Sequence, residues 1–192
     1  MTEKISKESL LELAREVIKR DGQVKIASLS DELTISQVVK FFGKQGRSFT
    51  KTMIQNYIRV GVLPPPVDKR YYTRDHLVML TIIDNLKAIY SLEEIKTVLG
   101  PVRNDPNIFE DDIIKTTDIY KNYLTMRKET LDRWEESLPE LFDRVDGLLC
   151  EDSINDSERD TAVAFMMALT VMTETIVLKE LTNEIISKYI KK

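Results

Sequence analysis

Three consecutive prolines at positions 64–66 are the strongest constraint that this sequence places on its own fold. A proline inside a helix removes a hydrogen bond and clashes with the preceding turn, and the residue before a proline is held extended. The triplet therefore separates two helical patterns. Residues 64–73 are predicted to form a short protrusion or β-hairpin that carries two cations and two aromatic side chains.

Local signals on both sides of the triplet delimit short helices. Thr50 is placed to cap a helix that begins at the next residue and stops at Gly61. After the prolines, Thr73 is placed to cap a second helix, and Ser-Leu-Glu-Glu at residues 91–94 matches a capping box. By apolar periodicity, further amphipathic helices are predicted over residues 6–21 and 35–42.

Charge is distributed unevenly along the chain. Residues 34–80 carry eight Lys or Arg and two acids, a balance of +6, whereas residues 104–192 carry twenty acids and eleven bases, a balance of −9. A basic segment inside an acidic protein is typical of a nucleic-acid contact. The alternative is an ordinary solvated basic surface.

The order of these elements matches a winged helix-turn-helix. Its plan is a short helix, a turn, a second helix with one polar face, and a basic extended arm. In that plan the second helix lies in the major groove and the arm contacts the backbone beside it. DNA contacts are therefore predicted for Thr50, Lys51, Thr52, Gln55, Asn56, Arg59, Lys69, Arg70, Tyr71 and Tyr72.

Five short motifs give this segment a resemblance to a known family. They are Ile54-Gln55-Asn56-Tyr57-Ile58, Gly61-Val62-Leu63-Pro64-Pro65, Lys69-Arg70-Tyr71-Tyr72, Asp75-His76-Leu77 and Ser91-Leu92-Glu93-Glu94-Ile95. In this order and spacing the chain resembles the MerR-type bacterial transcription regulators. The whole chain also resembles an uncharacterised bacterial family that joins a MerR-like domain to a helical tail.

The resemblance implies a homodimer that binds double-stranded DNA at a palindromic promoter site. Such regulators typically distort promoter DNA when an effector binds, and the sequence identifies no effector. Arg70 and Tyr72 occupy the family's Arg and Tyr positions in the arm. Two departures are visible: Gln55 and Asn56 replace the family's Arg and Tyr, and the turn after Gly43 holds about five extra residues.

A different pattern begins near residue 110. Apolar residues recur three and four apart in a near-heptad seam. The seam predicts a dimer contact through Tyr120, Leu124, Leu131, Trp134, Leu138 and Leu141. An intramolecular helical bundle explains the same periodicity equally well. Pro139 predicts a kink or a break near Ser137.

The last segment, residues 160–189, is apolar on nearly every side over its first half, so we expect it to be buried against the helix that contains Trp134, either in the same subunit or across a dimer. Its three methionines, at positions 166, 167 and 172, are expected to be core residues, and an adaptable ligand pocket is the alternative.

The predicted fold class is mainly α, with an N-terminal winged helix-turn-helix of MerR-like type followed by a helical C-terminal region that forms a coiled coil or a bundle. Three segments are predicted: an N-terminal helix and connector over residues 1–33, the DNA-binding domain over residues 34–103, and an acidic dimerisation or effector region over residues 104–192.

Residues that carry catalytic or metal chemistry are scarce. His76 is the only histidine, predicted to lie at a helix start, and Cys150 is the only cysteine, predicted to be a small buried hydrophobe. One cysteine excludes an internal disulfide and favours a cytoplasmic location. The acidic run at residues 110–112 is interpreted as helix-start or solvated charge. Without a Gly-rich phosphate loop or a nucleophile–base set, we predict no enzyme, no metal and no cofactor.

The longest uncharged stretch, residues 161–173, is too short to cross a bilayer, so no membrane association is expected. Two functional hypotheses follow from the sequence. The first is a DNA-binding transcriptional regulator, and the alternative is a protein-interaction module that retains the helix-turn-helix fold without contacting DNA.

Overall fold

The structure, a computed structural model, describes residues 5–20, 24, 26, 32–103, 105–150 and 154–190. Seven α-helices account for most of these residues. They are α1 (Lys7–Arg20), α2 (Ile35–Gly43), α3 (Lys51–Val60), α4 (Arg74–Leu86), α5 (Leu92–Leu99), α6 (Thr116–Cys150) and α7 (Asp156–Ile185). A 3₁₀ turn, Gly100–Val102, follows α5, and a π-helical turn, Ile186–Ile190, continues α7.

The predicted helix starts agree with the observed ones. Helices α2, α3, α4 and α5 each begin directly after a Thr or Ser that occupies the N-cap position. Ser91 and Glu94 form the predicted capping box, in which the Ser91 backbone N–H donates to the Glu94 carboxylate at 2.8 Å. The prediction of a mainly helical fold is confirmed, and the described part of the chain contains no β-strand.

Packing divides the chain into two compact units. The 23–124 unit comprises Gln23–Leu124 with Ile186–Lys192, and the 125–185 unit comprises Met1–Gly22 with Thr125–Ile185. Helix α1 therefore groups with the C-terminal helices rather than with α2 to α5. The side chain of Cys150 and most of the predicted connector over residues 23–34 lie outside the described residues.

A continuous apolar core fills the 23–124 unit. Helices α2 to α5 contribute side chains that are almost fully buried: Val38, Phe42, Ile54, Leu77, Leu80, Ile83 and Ile95. Helix α3 packs against α2 and α5. Val24 and Ile26 are buried in the same core, and the Tyr120 hydroxyl donates to the Val24 carbonyl at 3.1 Å. The start of α6 is thereby fixed to this unit.

The 125–185 unit has a smaller core. Val145 and Leu149 of α6 pack with Val163 and Met167 of α7. Helix α1 is joined to α6 by two ion pairs, Lys7–Asp143 at 2.6 Å and Arg15–Glu135 at 2.7 Å. The long C-terminal helices therefore pack together as a bundle with α1.

Within one chain the first half of α7 is buried on one face only, and burial across a dimer stays a prediction. Only the face with Val163 and Met167 has packing partners, whereas Phe165 is 61% exposed and Met172 is 60% exposed. Of the three methionines, Met167 lies in the core as expected and Met166 packs against it, whereas Met172 is exposed.

Helix α6 runs without interruption from Thr116 to Cys150, with Pro139 inside it. The predicted alternative of a break near Ser137 is therefore wrong, whereas a kink stays a prediction. Leu138, next to the proline, is 1% exposed, and this burial helps to offset the hydrogen bond that the proline removes. The Ser137 hydroxyl, two residues before the proline, donates to the Trp134 carbonyl at 2.8 Å.

Among the described residues, the helix Glu158–Ile190 has the length and apolar composition of a membrane span. The sequence argument against a span used only the uncharged stretch at residues 161–173, and the helix continues well beyond that stretch. Length and composition alone therefore do not exclude a span.

Candidate nucleic-acid interface

Helix α3 has well-defined ends. The Thr50 hydroxyl accepts a hydrogen bond from the Met53 backbone N–H at 3.1 Å, which satisfies one of the free donors of the first turn. Gly61 ends the helix with φ of +84°, a left-handed backbone conformation that residues with a Cβ rarely adopt. Ile54 and Tyr57 face the core.

The opposite side of α3 is polar and exposed. This surface, the α3 face, consists of Lys51, Thr52, Gln55 and Arg59, and Thr50 at the N-cap is exposed beside it. Asn56 is half-buried at the edge of the face, where its side-chain oxygen accepts a hydrogen bond from the Arg59 guanidinium at 2.7 Å. No acidic residue occurs in the helix, so its outward charge is wholly positive.

The connector between α2 and α3 is anchored to the core. Phe49 is buried and lies 4.4 Å, between ring centroids, from Phe42. The Arg47 guanidinium pairs with Asp84 of α4 and donates to Asn85 Oδ1 at 3.0 Å. The extra residues of this turn are therefore built into the fold, and Arg47 is a structural ion-pair partner rather than part of the outward basic charge counted from the sequence.

The loop over residues 64–73 forms a tight hairpin-like turn. Val67 and Tyr71 exchange two backbone hydrogen bonds of 2.8 Å and form an isolated antiparallel bridge. Asp68 and Lys69, at the tip, have φ of +51° and +58°. Left-handed φ at both central positions is the usual geometry of a tight hairpin turn, although Asn and Gly are the residues that favour it. The predicted protrusion is therefore present without extended strands.

The tip of this loop carries exposed cations. Lys69 and Arg70 are exposed, and the Arg70 guanidinium lies 5.2 Å from the centroid of the half-buried Tyr71 ring, a cation–π distance. Tyr72 is different, because its side chain is 3% exposed and belongs to the core. Burial also raises the pKa of the Tyr72 hydroxyl. The predicted DNA contact through the Tyr72 side chain is therefore corrected to a packing role.

His76 holds the base of the loop. Its Nδ1 accepts a hydrogen bond from the Thr73 backbone N–H at 3.0 Å, so in the neutral ring the hydrogen is on Nε2, which donates to the Pro65 carbonyl at 3.1 Å. The ring packs edge-on against Tyr72 and Phe109. Burial lowers the pKa of the imidazole. The predicted helix-start position is confirmed, and the link to Pro65 is a role that the sequence did not indicate.

A buried ion pair lies after the end of α5. The Arg103 side chain is 3% exposed and the Asp112 side chain 2% exposed, with Arg103 Nε 3.8 Å from Asp112 Oδ1. Arg103 also donates to the carbonyls of Val62 and Pro106. Burial raises the pKa of the Asp112 carboxyl, which the Arg103 charge opposes. The interpretation of Asp112 as a solvated or helix-start charge is wrong, because it is a buried counter-ion to Arg103.

The residues predicted to form a dimer seam on α6 lie in different packing environments. Tyr120 is buried and Leu124 packs against the core of the 23–124 unit. Leu138 is buried, and Leu141 packs on the small core of the 125–185 unit. Leu131 and Trp134 are half-buried. Much of the seam is thus used within one chain, as in the bundle alternative, and dimerisation through it remains a prediction.

Among the described residues, no group of three or more His, Cys, Asp or Glu side chains is arranged to hold a metal ion.

Comparison with protein families gives one match. Residues 25–123 match a family described as a domain of unknown function, DUF1836. The chain belongs to the DUF1836 family. The matched residues nearly coincide with the compact 23–124 unit, so the DUF1836 domain contains α2 to α5, the 64–73 loop and the beginning of α6. No curated protein and no solved structure matches the chain.

Proposed function

We propose that this DUF1836 protein is a DNA-binding transcriptional regulator that acts as a homodimer on a palindromic promoter site. The observation that carries the proposal is the α3 face, an exposed polar surface with two cations and no acid on a helix whose other side is fixed in the core. A helix that presents such a face is suited to the major groove of DNA.

The finer fold that we propose is a winged helix-turn-helix of MerR-like type. Helices α2 and α3 are the helix-turn-helix pair, and the 64–73 loop is the wing. The resemblance of the motifs between Ile54 and Ile95 supports this interpretation, as does the tight turn that exposes Lys69 and Arg70.

The proposed roles follow from side-chain chemistry. Lys51, Thr52, Gln55 and Asn56 read base edges, because side-chain amides, hydroxyls and amines match the donors and acceptors of the major groove. Arg59, Lys69 and Arg70 bind phosphates, and these contacts make affinity fall steeply with salt. Tyr71 supports Arg70 by the cation–π contact.

The remaining properties belong to the same proposal. The protein is cytoplasmic, is not an enzyme, needs no cofactor and does not associate with a membrane. An effector, if the protein uses one, is of a class that neither the fold nor the motifs define.

The proposal is tested with a duplex obtained by selection from random DNA, labelled and titrated by fluorescence anisotropy. Reversing both loop charges, Lys69→Glu with Arg70→Glu, is expected to weaken binding at least about tenfold at 0.1 M salt and to reduce the salt dependence. Gln55→Ala is expected to relax the base preference at one position of each half-site, at a cost of about 1–3 kcal/mol.

Lys115→Glu is the control, since it reverses one exposed charge of the same unit that belongs neither to α3 nor to the 64–73 loop. Equal losses of DNA affinity in the control and in the loop variant would show that the loop charges act only through non-specific electrostatic attraction to DNA. Failure of the wild-type protein to select any sequence, even at low salt, would overturn the proposal.

The second candidate is a protein-interaction module. It is favoured by the apolar side chains that α7 leaves exposed, since large exposed apolar patches mark interaction sites. The loop variant separates the two functions. A regulator loses DNA binding, whereas an interaction module shows no DNA binding to lose.

A further inference from the structure

One imidazole forms the hydrogen-bond link between the 64–73 loop and helix α4. His76 Nε2 lies 3.1 Å from the Pro65 carbonyl oxygen, to which it donates in the neutral ring. Within the part of the chain that the structure describes, the other hydrogen bonds of residues 65–71 join residues of that segment to one another. The contact with His76 is therefore the one described hydrogen bond that ties the 65–71 segment, with Lys69 and Arg70 at its tip, to the rest of the unit.

The surroundings of the ring fit its neutral form. The Thr73 backbone N–H donates to Nδ1 at 3.0 Å, whereas a protonated ring carries hydrogens on both nitrogens and has no acceptor to offer. The Thr73 hydroxyl, 2.9 Å from Nδ1, can rotate to accept the new hydrogen, but the backbone N–H then loses its partner. The His76 side chain is also buried edge-on against Tyr72 and Phe109. A charged ring in this position would therefore face a donor without water around it.

The charges around the ring act in both directions. Burial has the largest effect and lowers the pKa of the His76 imidazole, while Glu110 favours the protonated form and Arg103 disfavours it. Movement that brings the ring into water is therefore coupled to proton uptake below the ordinary imidazole pKa of about 6.5. The other ionisable side chains at adjoining positions of the packed elements are Tyr72 of the loop, Arg74 and Asp75 of α4, and Asp111 and Asp112 after α5.

We propose that protonation of His76 releases the 65–71 segment from α4, so that the loop tip is held in place at neutral pH and freed in acid. Water reaches the ring only when an element that covers it moves. Tyr72 is a core residue and Phe109 packs against the same core. Pro65 and residues 67–70 are exposed instead, and their segment is tied to α4 through the imidazole alone among the described hydrogen bonds. The 65–71 segment is therefore the covering element that moves.

The inference rests on the proposed function only for its consequence. Lys69 and Arg70 are the proposed phosphate contacts of the loop tip, so a released segment binds DNA less tightly than one held against α4. His76 is a positioning residue in this arrangement, because it acts on the loop tip through the Pro65 carbonyl.

Amide hydrogen exchange, measured by NMR on the full-length protein without DNA, tests the release. The reporting amides are those of Val67 and Tyr71, which donate across the turn at 2.8 Å. A turn with one bridge is not stable by itself, so these hydrogen bonds are expected to open when the segment leaves α4. Proton uptake by the open form is expected to make opening up to about tenfold more frequent at pH 5.5 than at pH 7.5. The protection of both amides, corrected for the pH dependence of exchange itself, is expected to fall by the same factor.

His76→Gln is the matched control. Glutamine does not titrate, and it suits the cap, because Gln37 occupies the same position in the capping box of α2 and accepts from the Thr34 N–H at 2.8 Å. The loop amides of this variant are expected to have the same protection at both pH values. The amide of Leu80, inside α4 and in the core, is expected to stay better protected than the loop amides at both pH values.

Three outcomes would overturn the inference. The first is protection of the wild-type loop amides that does not change between the two pH values. The second is an equal change in His76→Gln, which would assign the response to another group such as Asp112, whose carboxyl pKa is raised by burial. The third is equal protection of Leu80 and the loop amides, which would show that the segment leaves α4 only when the whole unit unfolds. Since no DNA is present in the measurement, a failure here is distinct from a failure of DNA binding.

Discussion

The two compact units of this protein use apolar residues in different ways. In the 23–124 unit, short capped helices bury nearly all of their large apolar side chains in one core. In the 125–185 unit, the described parts of two long helices bury five apolar side chains, Leu138, Val145, Leu149, Val163 and Met167, and leave much of α7 exposed. The comparison teaches that one chain covers the apolar side chains of the first unit, whereas it leaves an apolar surface of the second exposed.

The largest expected effect is a core truncation in the 23–124 unit. Phe42→Ala removes a fully buried ring and is expected to lower the free energy of unfolding of the 23–124 unit by about 3–5 kcal/mol. Phe165→Ala, on the exposed surface of α7, is expected to change the stability of the monomer by less than about 0.5 kcal/mol.

Urea titrations with two signals check this prediction. Trp134 is the only tryptophan and lies in the 125–185 unit, so its fluorescence reports that unit, while far-UV circular dichroism reports both. Phe42→Ala is expected to shift the circular dichroism transition more than the Trp134 transition. Equal shifts in both signals would show that the two units unfold as one. The difference between their cores would then have no effect on stability.

A smaller effect is expected from pH. Burial lowers the pKa of His76 in the folded protein, so the unfolded chain takes up the proton more readily. The contribution of neutral His76 is therefore complete above the ordinary histidine pKa of about 6.5 and is lost as the pH falls below it. Urea midpoints at pH 7.5 and pH 5.5 measure the loss.

His76→Gln provides the comparison, because glutamine does not titrate and the chain has no other histidine. The variant is expected to lose stability at both pH values and to show a weaker dependence on pH in this range. An unchanged dependence would assign the pH effect to other groups.

The smallest expected effect concerns the loop tip. Asp68 has φ of +51°, so Asp68→Gly removes a steric cost and is expected to raise the free energy of unfolding by up to about 1 kcal/mol. Lys40→Gly, inside α2, is the control and is expected to lower it by about 0.5–1 kcal/mol. Thermal or urea denaturation measures both, and a loss with Asp68→Gly would show that the turn is not strained.

Local chemistry explains which features were predicted correctly. The start and end of α3 follow from Thr50 and Gly61, which act within one turn of the helix. The protrusion follows from the prolines, which act on adjacent residues. The sequence therefore indicated the helices of the 23–124 unit and the exposed polar residues of α3 and the loop tip, although the binding of DNA by them is still a proposal.

Contacts between distant positions explain what the sequence did not show. Arg103 and Asp112 look like ordinary surface charges until the fold buries them together. Tyr72 was open to either a DNA contact or packing, and its position against the core shows that it packs. For α7, an apolar sequence predicted burial, but a single chain supplies packing partners to one side of the helix only.

The position of His76 has a practical consequence for spectroscopy. Since the chain has one imidazole, a ¹⁵N spectrum of the side chain contains one pair of ring nitrogens, and the hydrogen bonds to Thr73 and Pro65 set their chemical shifts. Those two signals report directly on the base of the 64–73 loop. A duplex that engages the loop tip should displace them, whereas a ligand bound elsewhere should leave them in place.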